Sequence, residues 1–252
     1  MLSIVILGTG NVAQNLFHAL EASEQVKVVQ IVGRNQNALK KYHDKVHVST
    51  TFEHIKDADV YVIAVSDSAI LEVSEKLPLQ GLVVHTSGAT PMNSLPQERK
   101  GVFYPLQTFT RGRLLDFAEI PICIEASDND SLSKLKLLGK SISKKVYAIN
   151  SEERKQLHVA AVFANNFSNH LFHISQTLCE KEGLSFELLK PLILETVNKL
   201  ESLSPMDAQT GPARRNDSES MQKHLELLTQ TEHKKLYTLL SEAISKTYEK
   251  EL

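Results

Sequence analysis

The sequence has few cysteines, no tryptophan and almost no net charge. Its 252 residues include two cysteines, Cys123 and Cys179, which lie far apart and form no C-x-x-C pair. We therefore expect both to be reduced core residues outside any disulfide framework. The formal net charge of −2 gives no electrostatic reason to expect nucleic acid as a partner.

Long apolar runs and metal-binding motifs are also missing. No run approaches the ~18 apolar residues of a membrane span, and the N-terminus reads as a strand instead of a signal peptide. We therefore expect a cytoplasmic protein with no membrane partner. His170 and His173 lie three residues apart, but no third ligand has zinc spacing and H-E-x-x-H is absent. The sequence therefore predicts no metal site.

Short strand-like runs alternate with helical patterns over the first 150 residues. The early runs are apolar on both faces, which is typical of parallel strands covered by helices. This alternation predicts a doubly wound α/β domain of the Rossmann type over residues 1–150. The predicted strands are 1–7, 26–32, 46–49, 60–65, 81–85, 101–104, 120–125 and 145–148.

After residue 150 no segment reads as a strand. A helix is predicted to begin with Ser151 as its cap and with Glu152 and Glu153 in its first turn. Four helices are predicted, over 151–181, 185–202, 218–228 and 231–250, with a polar loop at 210–217 between the second and the third. Residues 151–252 are thus predicted to form an all-helical domain.

The first predicted strand runs directly into a glycine-rich turn of the form G-x-G-x-x-A. In this motif the first glycine permits a tight turn, the second lets the backbone approach a pyrophosphate, and the third small residue lets the helix pack closely on the strand. The helix that follows directs its free N–H groups at the phosphates. The predicted dinucleotide-binding residues of this turn are Gly8, Thr9, Gly10, Asn11, Val12 and Ala13.

The end of the second strand indicates which dinucleotide binds. Sites that prefer NAD place Asp or Glu there, about 20 residues beyond the glycines, to bind the ribose 2′-hydroxyl. This chain has Gly33, Arg34 and Asn35 instead. The guanidinium fork of Arg34 matches a 2′-phosphate, and the alternative is a solvated surface arginine. The missing acid also argues against an S-adenosylmethionine methyltransferase, so the sequence predicts NADP(H).

The helix predicted from residue 151 is apolar on nearly every side between residues 157 and 164. That pattern is typical of a helix buried in a core or in a dimer interface. His158, Asn165 and Asn169 nevertheless share one face with Val162, by their spacing of 4, 7 and 11 residues. Buried polar groups need partners. These side chains either bond to the backbone and to one another or line a cleft that faces the cofactor.

Several longer segments carry a resemblance to a known family. They are G-T-G-N-V-A at 8–13, D-V-Y-V-I-A-V-S-D-S-A-I at 59–70, V-H-T-S-G-A at 84–89, Y-P-L-Q-T-F at 104–109, H-V-A-A-V-F-A-N-N at 158–166, and T-G-P at 210–212 with Arg214 and Asp217. With them the chain resembles the 6-phosphogluconate dehydrogenase-like superfamily, which includes pyrroline-5-carboxylate reductases, β-hydroxyacid dehydrogenases and F420-dependent NADP oxidoreductases. It resembles more closely the proteins that join a Rossmann-like domain to a helical domain of unknown function, DUF2520.

This resemblance implies where the nicotinamide and the partner chain bind. The implied nicotinamide site adds Ala64, Val65, Ser66, Asp67, Ser87 and Gly88. All of these follow the carboxyl ends of strands, where open α/β sheets bind ligands. The helical domain is implied to complete the cleft and to mediate a homodimer. Tyr104 departs from the family's more usual His-Pro-Leu-Gln, so a catalytic histidine is not assigned at that position.

A second departure bears on the chemistry. The β-hydroxyacid dehydrogenases resemble this helix in carrying a catalytic lysine four residues before an asparagine. If Asn166 matches that asparagine, Val162 stands where the lysine would be. Valine cannot take a proton as hydride leaves. His158, one turn earlier, is the predicted proton donor or acceptor, because histidine ordinarily titrates near neutrality.

Two functions are compatible with these patterns. The first is an NADP(H)-dependent oxidoreductase acting on a small, anionic carbonyl or imine compound. The second is a dinucleotide-binding regulatory or sensor protein that has lost catalysis. The residues predicted to act on the substrate are His158 and Asn165 in catalysis, and Tyr104, Gln107, Asn166, Asn169 and Arg214 in binding. The substrate, the direction of hydride transfer and a role for F420 are left open.

Overall fold

The strands of the N-terminal part form one sheet of eight strands. A computed structural model describes residues 1–77 and 81–249. The strand order is β3-β2-β1-β4-β5-β6-β7-β8, and all neighbours are parallel except β6 and β7. The strands are β1 (Leu2–Leu7), β2 (Val26–Val32), β3 (His47–Ser49), β4 (Val60–Ile63), β5 (Leu82–His85), β6 (Lys100–Pro105), β7 (Ile122–Ala126) and β8 (Val146–Ala148). The predicted Rossmann sheet is confirmed.

Both faces of this sheet are covered, as the doubly apolar strands predict. Successive residues of a strand point to opposite faces. In β1, Ile4 and Ile6 accordingly pack in one core cluster together with side chains from the flanking helices. Val5 and Leu7 pack in a second cluster on the other face. The burial of both sets keeps the strands in one register, because a slip of one residue would exchange the two faces.

Five α-helices accompany the sheet, and five more follow it among the described residues. The first set is α1 (Asn11–Glu21), α2 (Gln36–Leu39), α3 (Ile70–Ser74), α4 (Asn129–Lys140) and α5 (Ser151–Ala161). The second set is α6 (Ser168–Lys181), α7 (Lys190–Asn198), α8 (Pro205–Ala208), α9 (Ser218–Leu227) and α10 (Thr231–Tyr248). The predicted all-helical C-terminal region is confirmed, and the Lys250 end of the last predicted helix lies outside the described residues. Within residues 1–77 and 81–249, no helix has the length and apolarity needed to cross a membrane.

The chain divides into two compact units between Asn165 and Asn166. Unit 1 is Met1–Asn165 and unit 2 is Asn166–Leu252. Helix α5, which the sequence assigned to the helical domain, lies in unit 1. The reason is that Arg154 of α5 is fully buried and forms an ion pair with Glu125 of β7.

The start of α5 differs from the prediction in its cap. Asn150, not Ser151, is the N-cap, and its side chain accepts hydrogen bonds from the N–H groups of Glu152 and Glu153 at 2.9 and 3.0 Å. The Glu153 carboxylate in turn accepts from the Asn150 N–H at 2.9 Å, which completes a capping box. Ser151 donates instead to Glu125, at 2.8 Å. The predicted cap was therefore one residue late.

The predicted long helix over 151–181 is interrupted by a π-helical turn, Val162–Phe167. A π-turn holds more residues than an α-turn. The α-helical spacing that placed His158, Asn165 and Asn169 on one face therefore does not hold across it. The expected burial is also absent in the single chain, because Val159 and Phe163 are 53% and 65% exposed.

Candidate active site

The turn between β1 and α1 requires glycine at its first position. Gly8 has φ +130°, and a Cβ there would lie 2.1 Å from the carbonyl oxygen of Ala64. Gly10 differs, since apart from its own chain neighbours no heavy atom of the described residues lies within 4 Å of the place its Cβ would take. The first glycine thus brings β1 and β4 together, and the second leaves open space in front of the helix.

The beginning of α1 is suited to an anion. Gly10 is its N-cap and supplies no side-chain hydrogen bond, and the first turn holds no acidic residue. Asn11 donates to the carbonyl of Phe109 at 2.9 Å, and Gln14 donates to the carbonyl of Thr9 at 2.9 Å. Both side chains therefore hold the surrounding loops and do not cap the helix. The free N–H groups and the open space at Gly10 fit the diphosphate of a dinucleotide.

The end of β2 places an exposed arginine, Arg34, close along the chain to the Gly33 that packs on this turn. A Cβ on Gly33 would lie 2.4 Å from Cγ2 of Thr9, so the strand end packs closely on the glycine turn. Asn35 caps α2 by accepting from the Ala38 N–H at 3.1 Å. Arg34 is exposed. The hydrogen bond from Lys76 and the charge of Lys76 keep the pKa of Glu72 below its ordinary value, and the charge of Arg34 makes the smallest contribution.

The carboxyl ends of β4, β5 and β6 lie side by side. Ile63 pairs with His85, and His85 pairs with Val102. The residues after these positions therefore meet at one edge of the sheet. They include the six residues that the resemblance adds to the glycine turn and Arg34 as the nicotinamide site. Ala64, Ser87 and Gly88 are buried, Val65 is half-buried, and Ser66 and Asp67 are exposed.

Tyr104, His158 and Gly88 form one contact group at this edge. The Tyr104 hydroxyl lies 3.1 Å from Nδ1 of His158. Their rings meet edge to face, with centroids 6.1 Å apart. A Cβ on Gly88 would lie 2.5 Å from Nδ1 of His158 and 2.9 Å from Cζ of Tyr104. The predicted proton-transfer residue therefore lies against two other predicted site residues.

A buried polar layer lies close to this group. His85 is fully buried, and its Nε2 has no hydrogen-bond partner among the described residues. Burial, followed by the charge of Arg154, lowers the pKa of His85 to about 4. The ring is therefore neutral near pH 7, and its Nδ1 accepts from the Ser87 N–H at 3.2 Å. The Ser87 hydroxyl oxygen accepts from two backbone N–H groups, those of Ala89 and Thr90, at 3.1 and 2.9 Å, and so it organises the turn.

The other predicted substrate residues occupy less constrained positions. Asn165 is exposed at the end of unit 1, and Gln107 is exposed with its side chain accepting from the Thr108 N–H at 2.8 Å. Asn166 and Asn169 are exposed residues of unit 2.

Arg214, also in unit 2, has structural contacts of its own. Its guanidinium donates to the carbonyl of Gln209 and, at 3.3 Å, to that of Asp207. It also lies 4.9 Å from the centre of the Tyr248 ring. These contacts give the side chain a role within unit 2, which the prediction of substrate binding did not include.

The sequence did not single out the ion pair of Arg154 and Glu125 or the contact between Tyr104 and His158. Arg154 precedes His158 by four residues, so both lie on one face of α5. This spacing of four residues could have indicated that both side chains lie on the face of α5 that packs against the sheet. Within the described residues, no group of His, Cys, Asp and Glu is arranged to hold a metal ion.

The sheet order, the glycine turn and the helical region define a class of Rossmann-type oxidoreductases. Residues 3–86 match the family model described as NADP oxidoreductase, coenzyme F420-dependent. Residues 120–244 match the domain of unknown function DUF2520. The chain belongs to the family that combines these two domains. Among curated proteins there is no significant sequence match.

Solved structures agree with this assignment. A candidate NADP oxidoreductase from Bacteroides fragilis is 38% identical, with 97% of this chain and 98% of that chain covered and a TM-score of 0.89. A protein from Thermotoga maritima is 22% identical, with 98% and 99% covered and a TM-score of 0.76. A reductive aminase from Aspergillus terreus, solved with NADPH and ethyl levulinate, is 13% identical, with 98% and 94% covered and a TM-score of 0.70. The last two similarities concern the fold alone.

Proposed function

We propose that this protein is an NADP(H)-dependent oxidoreductase that acts on a carbonyl or imine group of a small molecule. The observation that carries the proposal is the position of His158, whose imidazole lies at the same sheet edge as the glycine turn and contacts Tyr104 and Gly88. A dinucleotide cradle and a titratable group at one edge are the two parts that hydride transfer with proton transfer needs.

The choice of NADP(H) over NAD(H) rests on Arg34. It is exposed at the end of β2, where sites that prefer NAD carry an acid. The two neighbouring residues have structural roles of their own, because Gly33 packs on Thr9 and Asn35 caps α2. The guanidinium fork offers paired donors to a 2′-phosphate.

Each part of the site has a separate chemical task in this proposal. The bound dinucleotide supplies or accepts the hydride. The α1 N-terminus and the open space at Gly10 hold its diphosphate. His158 holds or gives the proton at its ring nitrogen, because Val162, which stands at the lysine position of the related dehydrogenases if Asn166 matches their asparagine, has no titratable group. The sequence predicted an anionic substrate because Arg214 could bind one. The Arg214 guanidinium already donates to carbonyl groups within unit 2, so the proposal does not require the substrate to be an anion.

Cofactor titration tests the first part. NADPH should bind at least tenfold more tightly than NADH. Arg34→Ala should weaken NADPH binding by about 10- to 100-fold, the loss of a hydrogen bond to a charged group, and leave NADH unchanged. Lys27→Ala removes a positive charge near the opposite end of β2 and serves as the control. Equal affinity of the wild type for both dinucleotides, or binding of neither, would overturn the cofactor assignment.

Turnover tests the second part. Small oxo and imino compounds are assayed by the absorbance of NADPH. We expect His158→Gln to lower kcat by about 100-fold or more, the range of general acid–base catalysis. The exposed His43, changed to Gln, is the matched control. Activity that survives His158→Gln undiminished would show that the histidine has been given the wrong role.

The absence of a lysine at Val162 favours a second candidate function. In it the protein binds the dinucleotide as a regulator or sensor and catalyses nothing. Tight NADPH binding with no turnover across the substrate panel would favour this second function over the first.

We also propose that unit 2 mediates a homodimer. Ala208, Ala213 and Tyr248 are the only buried residues of unit 2 within the described part. Large apolar side chains are exposed along it, including Leu188, Leu192 and Leu194 at 68%, 63% and 61%. A helical unit with so small a core needs another apolar surface, and a second copy supplies an equivalent one.

Light scattering after gel filtration tests the dimer. The wild type should have the mass of two chains, and Leu192→Glu should shift it toward one. Leu71→Glu, at an exposed apolar position of α3 in unit 1, is the control and should leave the mass unchanged. A monomeric wild type would refute the proposal.

A further inference from the structure

We propose that Tyr104 is a positioning residue that acts through His158. Its hydroxyl donates a hydrogen bond to Nδ1, so that the neutral imidazole carries its hydrogen on Nε2. The hydrogen-bond direction is a property of the free protein. Its consequence for the reaction rests on the proposed function.

The geometry holds the two rings in a fixed relation. Tyr104 lies near the end of β6 and His158 lies on α5, and the hydroxyl oxygen is 3.1 Å from Nδ1. The Tyr104 ring packs in an apolar cluster with Val102 and Cys123, against which Leu157 also packs. The phenol is therefore held by β6 and by its cluster, and the position of its hydroxyl does not depend on a bound ligand.

The direction of this hydrogen bond follows from the chemistry of the phenol. Burial, more than any nearby charge, raises the pKa of Tyr104 to about 12, so the hydroxyl keeps its hydrogen at neutral pH. Within the described residues, Nδ1 of His158 is the hydrogen-bond partner of that hydroxyl. The reverse arrangement would leave the phenolic hydrogen without a protein acceptor at this part-buried contact, which is unfavourable. A neutral imidazole has one donor and one acceptor nitrogen, so Nε2 is the donor.

Gly88 keeps the space that this contact needs. Any side chain there would begin 2.5 Å from Nδ1 and 2.9 Å from Cζ of the tyrosine. One of the two rings would then have to move. Because Gly88 has no side chain, the turn after β5 places nothing between the rings of Tyr104 and His158, and the two rings can remain in contact.

The assignment of the hydrogen to Nε2 restricts the kinds of chemical group with which the His158 ring can form a hydrogen bond. A donor at Nε2 can bond to an atom with a free lone pair, such as a carbonyl oxygen or an unprotonated imine nitrogen. It opposes an iminium N–H, which is itself a donor. The pair thus favours substrates whose carbonyl oxygen or imine nitrogen is unprotonated and accepts a hydrogen bond from Nε2, which polarises the bond that takes the hydride.

Nitrogen NMR of the free protein, labelled at histidine side chains, tests the tautomer. Spectra are taken at a pH where the ring is neutral, and His158→Gln identifies the signals by their loss. We expect an acceptor-type signal from Nδ1 and a donor-type signal from Nε2. Tyr104→Phe should change this pattern toward a mixture of tautomers, whereas Tyr147→Phe, at a half-exposed tyrosine of β8, should not. A donor-type Nδ1 in the wild type, or no change in Tyr104→Phe, would overturn the proposal.

A kinetic measurement separates positioning from a structural role. Tyr104→Phe should lower kcat by about tenfold, the effect of one hydrogen bond between neutral groups. The substrate KM and the Kd for NADPH should stay within about twofold of the wild type. An unchanged kcat, or a loss confined to KM, contradicts the role. Gly88→Ala should change the tautomer in the same direction. Failure of the protein to bind a nicotinamide would refute the proposed function and leave the NMR result standing.

Discussion

Removing Arg154 should destabilise unit 1 more than removing any of its surface charges. Its side chain is 1% exposed, and that of its ion-pair partner Glu125 is 14% exposed. The guanidinium also donates to the carbonyl oxygen of Thr90 at 2.6 Å and to Oγ of Ser151 at 3.2 Å. One side chain thus connects α5, β7 and the loop that follows β5.

The magnitude follows from what Arg154→Met leaves behind. Breaking a buried pair on one side costs about 3–5 kcal/mol, because the other charge stays buried without its partner. Glu125 keeps its 2.8 Å hydrogen bond from Ser151 and has some solvent contact, so we expect the lower end, about 3 kcal/mol. Replacing both charges, as Arg154→Met with Glu125→Leu, removes the uncompensated charge. The double variant should recover to within about 1 kcal/mol of the wild type.

Urea unfolding followed by circular dichroism measures these free energies from the midpoint and slope of each curve. Arg99→Met is the matched control, because its partner Asp130 is 68% exposed and such pairs contribute about 0–1 kcal/mol. The reasoning fails if Arg154→Met costs no more than this control. It also fails if the double variant loses as much free energy of unfolding as Arg154→Met and Glu125→Leu lose in sum, since that would mean that the two charges do not interact.

Three further predictions concern other parts of unit 1. The pKa of His85 is lowered from 6.5 to about 4, first by burial and then by the charge of Arg154, so between these pH values the unfolded chain binds a proton that the folded chain does not. Stability should therefore fall by about 3 kcal/mol from pH 7 to pH 4, and a His85→Asn variant with the same pH dependence would contradict this. Gly8→Ala should lower the melting temperature and abolish NADPH binding in a thermal-shift assay, because its Cβ would lie 2.1 Å from the Ala64 oxygen; a native-like result would mean that the turn can relax. Asn150→Ala should cost about 1 kcal/mol in urea unfolding through loss of the α5 cap, and an unchanged midpoint would show that Ser151 can replace it.

The sheet was predictable because its strands have a local signal. The strand predicted at 26–32 is Val26–Val32 in the structure, and the other seven predicted strands form within a few residues of their predicted bounds. Central parallel strands bury both faces and therefore appear as short apolar runs between turns. The glycine turn has the same local character, because the positive φ of Gly8 is a property that few other residues can adopt.

Contacts that depend on tertiary structure were not predictable in the same way. Arg154 and Glu125 are 29 residues apart in the chain, and each side chain alone reads as an ordinary surface charge. Their burial depends on α5 packing over β7, which no local pattern encodes. The N-cap of α5 was missed for a related reason, because both Asn150 and Ser151 are favourable caps and the bond of Ser151 to Glu125 decides between them.

The candidate site combines both kinds of information, and this explains which of its parts were found. His158 was selected for its titratable ring and its place one turn before Val162. This argument uses α-helical spacing, which holds between these two residues because the π-turn begins only at Val162. Asn165 and Asn169 were selected by α-helical spacing from His158, which does not hold because Asn165 lies within the π-turn and Asn169 lies beyond it. Tyr104 was selected as a substrate contact, yet it lies 54 residues from His158 in sequence and 3.1 Å from it in space. The register of β6 against β5 places the tyrosine beside Gly88, and the packing of α5 brings the histidine to both. The chemistry assigned to Tyr104 therefore changes from binding a substrate to orienting the ring that would bind it.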